Sequence, residues 1–343
     1  MSLSYQQPGF VLQRGVVKWA AQIKDLQRDL RRLGYLRTGI DGNFGKATET
    51  AVKALQYDLL TNAGKGSDGD APVSIKDYNK NRVPEANGVV DQNLAACLAE
   101  MLGDGRFAKV PDAADPAAEN RRIATELAAM RSAEVPVLFL LGIFRQESGA
   151  RHFMEPSSDN DDNFVIVGLD RNAEGKPAIT SRGYGVGQYT LFHHPPSAVE
   201  VSELILNFRK NITKAVRELR SKFDRFVNGT TPGTRAEDRQ AEFGRGGLRM
   251  CKYAPEDARY LTDCRQCLRD AGQCNIRAGA TRIYEGAQPL YEPTQYHRER
   301  EYKGVPIRRN IGCDWPYAVR RYNGGGMNSY HYQTKVLLHV LDS

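Results

Sequence analysis

Residues 136–149 read PVLFLLGIFRQESG, and this stretch limits what the chain can fold into more than any other. Pro136 suits the first position of a helix, where its missing N–H is no loss. Val137, Leu138, Phe139, Leu140, Leu141, Ile143 and Phe144 leave almost no polar face. The pattern predicts a helix buried on all sides, at the centre of a mostly helical domain. The run then ends on Gln146, Glu147, Ser148 and Gly149. Desolvation disfavours a carboxylate at the end of such a helix, and the negative end of the helix dipole disfavours it again. Both effects raise the pKa. A carboxyl kept protonated near neutral pH is what general-acid catalysis on a glycosidic oxygen requires, so Glu147 is the candidate catalytic residue. The plainer alternative is a glutamate that emerges into solvent and pairs with an arginine.

The chain has 343 residues, enough for two domains of ordinary size. Its net charge of +7 favours a polyanionic partner: nucleic acid, an anionic membrane surface or an anionic cell wall. No apolar run approaches the roughly 20 residues of a bilayer span, so no membrane span is expected. No reading helix and no aromatic-basic platform stands out, so no nucleic acid is expected as partner. The first residues show no basic start followed by an apolar core, so no secretory signal is expected either. No cofactor is called for.

Six cysteines are unevenly placed. Cys97 falls on an apolar helical stripe and reads as a small core residue. Cys251, Cys264, Cys267 and Cys274 include one C-x-x-C pair, compatible with a four-thiolate zinc site. A second such pair is missing, and disulfides or reduced thiols fit as well, so no metal is assigned. His193-His194-Pro195-Pro196 reads as a rigid surface turn rather than a metal site.

The first hundred residues carry three helical stripes: Ile23, Leu26, Leu30 and Leu33; Ala51, Val52, Leu55 and Leu59; and Leu94, Cys97, Leu98, Met101 and Leu102. Asp91 is placed to cap the third. Between the first two, DGNFG (41–45) is turn chemistry, with Gly42 and Gly45 tolerating positive φ and Asp41 able to bond the backbone ahead of it. The order Leu26-Gln27, Leu33-Gly34-Tyr35, Asp41 to Gly45, Ala47-Thr48, Ala51 to Gln56 and Gly88 to Leu98 resembles the type-one peptidoglycan-binding domain. That resemblance implies a wall-binding module over residues 1–105, with Tyr35, Asp41, Gly42 and Phe44 as its signature, and bacterial peptidoglycan as partner. Residues 61–86 interrupt the pattern. They are polar and Gly-rich, and a surface loop is expected there. Residues 106–120 read as a linker, and 121–343 as a second domain.

Three motifs in that second domain resemble the lysozyme-like lytic transglycosylases, the soluble group that also resembles goose-type lysozyme. RQESGA (145–150) matches the catalytic Glu-Ser motif, GYGVGQYT (183–190) the Gly-Leu-Met-Gln motif, and RRYNGGG (320–326) the Tyr-Asn-Ala-Gly motif. Gly187 departs from the usual Met. The resemblance implies Glu147 as acid and then base, Ser148, Gln188, Tyr189, Tyr322 and Asn323 at the saccharide, and Tyr322 orienting Glu147. An inverting hydrolase would need a second carboxylate to activate water. The candidates are Asp159, Asp161, Asp162 and Asp170. Lytic transglycosylases instead let the sugar's own 6-hydroxyl attack, leaving a 1,6-anhydro end.

The expected fold is mainly α: a three-helix binding module followed by a lysozyme-like, mostly helical catalytic domain, with a small β-hairpin within 163–180. The expected activity is cleavage of the MurNAc–GlcNAc β-1,4 bond, by the anhydro-forming route ahead of the hydrolytic one. The competing class is a wall-binding protein without catalysis. Synthesis in the cytoplasm and action in the periplasm or wall would suit a phage endolysin or an effector injected by a type VI-like apparatus, the latter with a cognate immunity protein.

Overall fold

A computed structural model describes residues 3–228 apart from 17, 172 and 173, then 251–270, then 313–343 apart from 314, 325 and 326. Cys274, Gly325 and most of the unassigned stretch 230–312 lie outside the described residues. Among the described residues the fold is mainly α, with one small sheet. The chain divides into two compact units, residues 1–123 with 151–211 and residues 124–150 with 212–343.

In the first unit the helical stripes become α1 (Ala20–Arg32), α2 (Lys46–Thr61) and α3 (Gln92–Gly103). Ile23, Leu26, Leu30, Val52, Leu55, Leu59, Leu94, Cys97 and Leu98 share one core. Asp91 caps α3, its carboxylate accepting from the Leu94 N–H at 2.9 Å. The segment 61–86 is not the free surface loop expected from its composition. It folds through a 3-10 turn at Ile75–Tyr78 and buries Val73, Ile75, Tyr78 and Val83 in the same core. These four apolar residues, spaced through a polar stretch, outweigh its Gly-rich character.

The sheet also belongs to this unit. β1 (Val167–Asp170), β2 (Ser181–Tyr184) and β3 (Tyr189–Leu191) are antiparallel in the order β1-β2-β3, with Val167 opposite Tyr184 and Tyr184 opposite Tyr189. The hairpin expected within 163–180 is displaced: β1 pairs with a strand that starts at Ser181. Pro177 has no N–H for a ladder, and the polar stretch around it forms the connection instead. Residues 106–120 are likewise not a loose linker. Phe107 and Val110 are buried, the Val110 N–H donates to Arg32 O at 2.8 Å, and α4 (Pro116–Ala128) has already begun. Buried polar contacts then tie the sheet region to the N-terminal helices. Arg31 is paired with Asp162, and Arg182 donates to Gly34 O at 2.9 Å. The boundary between compact units therefore differs from the one expected near residue 105. A short helix, α6 (Ala198–Glu200), opened by a capping box at Ser197, continues as a π turn over Val201–Ile205.

The second unit centres on α5 (Val137–Ser148), with α7 (Phe208–Lys222, its first turn in the other unit), α8 (Cys264–Asp270), α9 (Trp315–Tyr322) and α10 (Met327–Leu341). Phe139, Leu140, Ile143 and Phe144 of α5 are buried, as are Val336, Leu337 and Val340 of α10. The two helices approach closely at Gly142, where a Cβ would lie 2.9 Å from Val336 O and 3.0 Å from Val340 Cγ2. Burial of α5 is not complete, however. Val137, Leu138 and Leu141 are half-buried and line an open groove with Leu127, Met130 and Tyr260. Among the described residues no helix is long and apolar enough to cross a membrane.

Candidate active site

Glu147 stands in the last turn of α5, where the helix is stopped by two successive left-handed residues. Gly149 has φ 65° and Ala150 φ 57°. Their N–H groups cap the end, donating to Arg145 O at 3.1 Å and Phe144 O at 2.9 Å. Glycine takes this conformation without strain, which fixes where the helix stops and which side Glu147 leaves from. Arg145 holds the same end against the C-terminus of the chain, donating to His339 O at 3.2 Å and Ser343 Oγ at 2.6 Å.

The Glu147 carboxyl is half-buried, and burial pushes its pKa above the usual carboxylate range. The Tyr332 hydroxyl, from α10, partly offsets this by favouring the anion. That hydroxyl is buried and sits at interaction range of Glu147, outside the geometry of an ideal hydrogen bond. Tyr322, the last residue of α9, faces the same carboxyl. Burial, then the negative charges of Glu147 and Glu218, push its phenol well above its ordinary pKa. Glu218 comes from α7 and is paired with Lys222 at 2.7 Å. Four side chains from four helices of one compact unit thus make up the candidate site: a carboxyl whose pKa is raised by burial, two phenols and a second carboxylate. Two of them, Tyr332 and Glu218, escape a reading of the sequence. Tyr332 sits in a helix whose tyrosines look like core, and Glu218 looks like an ordinary i,i+4 partner of Lys222 on a polar face.

The other expected saccharide contacts are placed differently. Ser148 is buried and its hydroxyl donates to Phe144 O at 3.0 Å, closing the helix end. Asn323, just past α9, is exposed. Gln188 and Tyr189 belong to the other compact unit. Gln188 has φ 49°, and its side chain folds back to donate to Gly185 O at 2.8 Å. A Cβ on Gly168 or Gly183 would strike its Oε1, so both glycines are spaces for this side chain. The turn at 185–188 is pinned from below. The Val186 N–H donates to His152 Nδ1 at 3.1 Å and the Gly187 N–H to Asn211 Oδ1 at 2.7 Å. Tyr189 is half-buried in β3, while Tyr184 is wholly core.

Of the carboxylates weighed for activating water, Asp162 is excluded. It is fully buried and paired with the equally buried Arg31 at 2.8 Å. Asp161 pairs with Lys24 at 2.7 Å. Asp159 and Asp170 are exposed, and all four lie in the unit that does not contain Glu147.

The signature residues of the N-terminal module prove to build its turn. Gln27 is buried and braces the loop together with Asp41, whose carboxylate accepts from the Asn43 N–H at 2.8 Å. The Gln27 Oε1 accepts from the N–H groups of Asp41 and Gly42 at 3.0 and 2.9 Å. Its Nε2 donates to Asp41 Oδ1 at 2.8 Å, Asn43 O at 3.0 Å and Thr48 Oγ1 at 3.1 Å. Gly42 takes φ 77° beneath Ala20, and Phe44 is buried. Tyr35 is buried with its hydroxyl donating to Asp58 at 2.8 Å. Only Asp41 of the four offers an exposed side chain.

His193 and His194 are not a surface turn either, for both are buried. Burial alone would lower the His193 pKa, but the carboxylates of Asp68 at 2.9 Å and Glu200 at 3.1 Å outweigh it and raise the value. His194 packs edge-on against Tyr35 and Phe107 and is held well below its ordinary pKa by burial. Near α8, Cys251, Cys264, Cys267 and Cys313 surround one small cavity. Cys274, the fourth thiol of the set considered from sequence spacing, lies outside the described residues. Cys97 is a core residue of the N-terminal helices.

No curated protein and no solved structure shows significant similarity to the chain. Residues 20–59, which hold α1, the Gln27-braced turn and nearly all of α2, match the family model described as a putative peptidoglycan binding domain. That match supports a peptidoglycan-binding module over these residues and suggests an association with the cell wall.

Proposed function

We propose that this chain is a muramidase that cleaves the MurNAc–GlcNAc β-1,4 bond of peptidoglycan, with Glu147 as its general acid and base. The observation that carries the proposal is the environment of Glu147: a half-buried carboxyl with a raised pKa, faced by Tyr322 and Tyr332. In the first step the protonated carboxyl gives its proton to the leaving glycosidic oxygen as the C–O bond breaks. In the second the carboxylate takes the proton of the attacking hydroxyl. Tyr322 holds the carboxyl in one orientation, and Tyr332 limits how far burial raises its pKa.

The attacking group is the sugar's own 6-hydroxyl, giving a 1,6-anhydro product. Ion pairs occupy Asp161 and Asp162, which supports this route over water activation by either. The hydrolytic route would fall to Glu218, Asp159 or Asp170. Delivery as a phage endolysin, or as an injected antibacterial effector with its immunity protein, is compatible with wall binding at the N-terminal end.

The test is release of soluble dye from covalently labelled sacculi. Wild type should release it, and Glu147→Gln should lose at least about a hundredfold in rate while still sedimenting with the sacculi. A second reading, wall binding without catalysis, is favoured by the family match, which covers a binding module alone. It predicts no dye release by either protein.

A further inference from the structure

Trp19 stands at the start of α1 with 51% of its surface exposed, while the other tryptophan of the chain, Trp315, is fully buried. Its backbone lies in the left-handed region, at φ 73° and ψ 35°. Glycine takes that conformation freely, and for a bulky side chain it is an outlier. The Trp19 carbonyl accepts from the Ile23 N–H at 2.9 Å, so the first turn of α1 holds the residue there. Strain of this kind persists where the surrounding structure over-determines it, and it gathers at ligand sites.

The indole is not a loose ring. Phe10 meets it edge-on, with centroids 5.1 Å apart and planes at 62°. Phe10 is half-buried and packs on the core of the first unit. Two residues on, Leu12 exchanges both backbone hydrogen bonds with Val90 at 2.9 Å, which pins the segment that carries Phe10. Polar groups lie close by in the same unit. The Asp41–Asn43 turn packs on Ala20, where a Cβ on Gly42 would lie 3.0 Å from Ala20 O. The side chains of Asp41, Asn43 and Lys18 are exposed.

We propose that Trp19 and Phe10 form a stacking subsite for the glycan backbone of peptidoglycan, with Trp19 as the face that receives a sugar ring. The inference rests on the wall-binding reading of residues 20–59, which begin at the next residue, and not on Glu147. The N-acetylated pyranoses of the wall carry their polar substituents around the rim and leave C–H bonds on the ring faces. Those C–H bonds suit the negative face of an indole, while the rim needs donors and acceptors nearby. The turn at 41–43 offers them, and the Lys18 ammonium suits the carboxylates of an anionic wall. A protein partner fits less well. Two rings of at most about 250 Å² each fall short of the roughly 800 Å² that a stable interface covers on each side.

The test uses the full chain carrying Glu147→Gln, so that purified sacculi stay intact while binding is measured by sedimentation. Trp19→Gly suits the left-handed backbone and should stay folded, with a melting temperature close to that of its parent. It should nevertheless bind about tenfold more weakly. Trp19→Phe should keep most of the affinity. Phe192→Ala, which removes another exposed aromatic ring of the same unit, should keep all of it. In the wild type a soluble GlcNAc tetramer should shift tryptophan emission to the blue and shield it from acrylamide, and the burial of Trp315 assigns that signal to Trp19. Undiminished sacculus binding by Trp19→Gly would overturn the subsite, as would emission that the oligosaccharide leaves unchanged. An equal loss in Phe192→Ala would overturn its assignment to Trp19. Sacculi that fail to bind the parent protein would overturn the wall-binding reading, and this inference with it.

Discussion

The buried amide of Gln27 gives the turn at Asp41–Asn43 the partners that a helix or sheet would supply to ordinary backbone. Gln56 does the same for the next loop, donating to Asn87 Oδ1 and Val89 O at 3.0 Å each and accepting from the Gly88 N–H at 2.7 Å. Replacing Gln27 by Ala leaves the Asp41 and Gly42 N–H groups without their acceptor. The cost should be at least about 2 kcal/mol, read as a lower urea midpoint for the first unit. Both glutamines were legible as motif letters, but their purpose was not, because a glutamine on an amphipathic helix shows no sign of facing inward. At Glu147 the sequence was more informative, since an apolar run ending in a carboxylate carries its own electrostatic consequence. Its neighbours were hidden, because Tyr332 and Glu218 arrive from helices whose pairing no local pattern records. Removing the Tyr332 hydroxyl with Tyr332→Phe takes away the group that favours the anion, so the Glu147 pKa should rise further. The alkaline limb of the pH–rate profile, where the acid loses its proton, should then move to higher pH. An unmoved limb would remove Tyr332 from the account.

Elements packed this tightly respond to single atoms. A helix interior normally gains from Gly→Ala by up to about 1 kcal/mol. Gly142→Ala should do the reverse, because the added methyl meets a backbone carbonyl of α10 that has nowhere to go. An overpacking cost of about 1–3 kcal/mol should appear as a lower melting temperature for the second unit. The turn at 185–188 answers to pH instead. His152 is buried, donates through Nε2 to Ile205 O at 2.7 Å and accepts from Val186 through Nδ1, so it is neutral. Burial lowers its pKa to about 4 from 6.5. The unfolded chain therefore binds the proton more readily. His152 contributes full stability above about pH 6.5, and that contribution falls away as the pH drops toward 4. The difference is on the order of 3 kcal/mol. Acid unfolding of the first unit should soften in His152→Gln, which carries no titrating ring. The three helices of the N-terminal module and α5 were readable from apolar spacing, whereas α4, which begins inside the expected linker, and α8, in the unassigned stretch, were not. What the spacing missed was the second half of each contact: Val336 opposite Gly142, and His152 beneath a glycine-rich turn.

At the scale of the whole chain the sheet region, residues 151–211, clusters with the N-terminal helices. The stretch around Asp162, SSDNDD, has the composition of a solvated turn, and its partner Arg31 is 131 residues away. No local reading could pair them. Asp162→Asn strands a buried guanidinium and should cost about 3–5 kcal/mol, seen in thermal unfolding of the intact protein. The paired replacement Arg31→Met with Asp162→Leu should recover most of it. A fragment ending at residue 105 loses the same partner and should melt well below the first unit of the full chain. The proposal that Glu147 cuts the glycan strand rests on the peptidoglycan-binding match, the raised carboxyl pKa and the two phenols beside it. The measurement that tests it most directly is mass spectrometry of the soluble fragments from purified sacculi treated with the wild type or with Glu147→Gln. The account predicts 1,6-anhydro muropeptides from the wild type alone. Reducing-end fragments would contradict the anhydro route and turn attention to Glu218, and no fragments from either protein would contradict the catalytic claim itself.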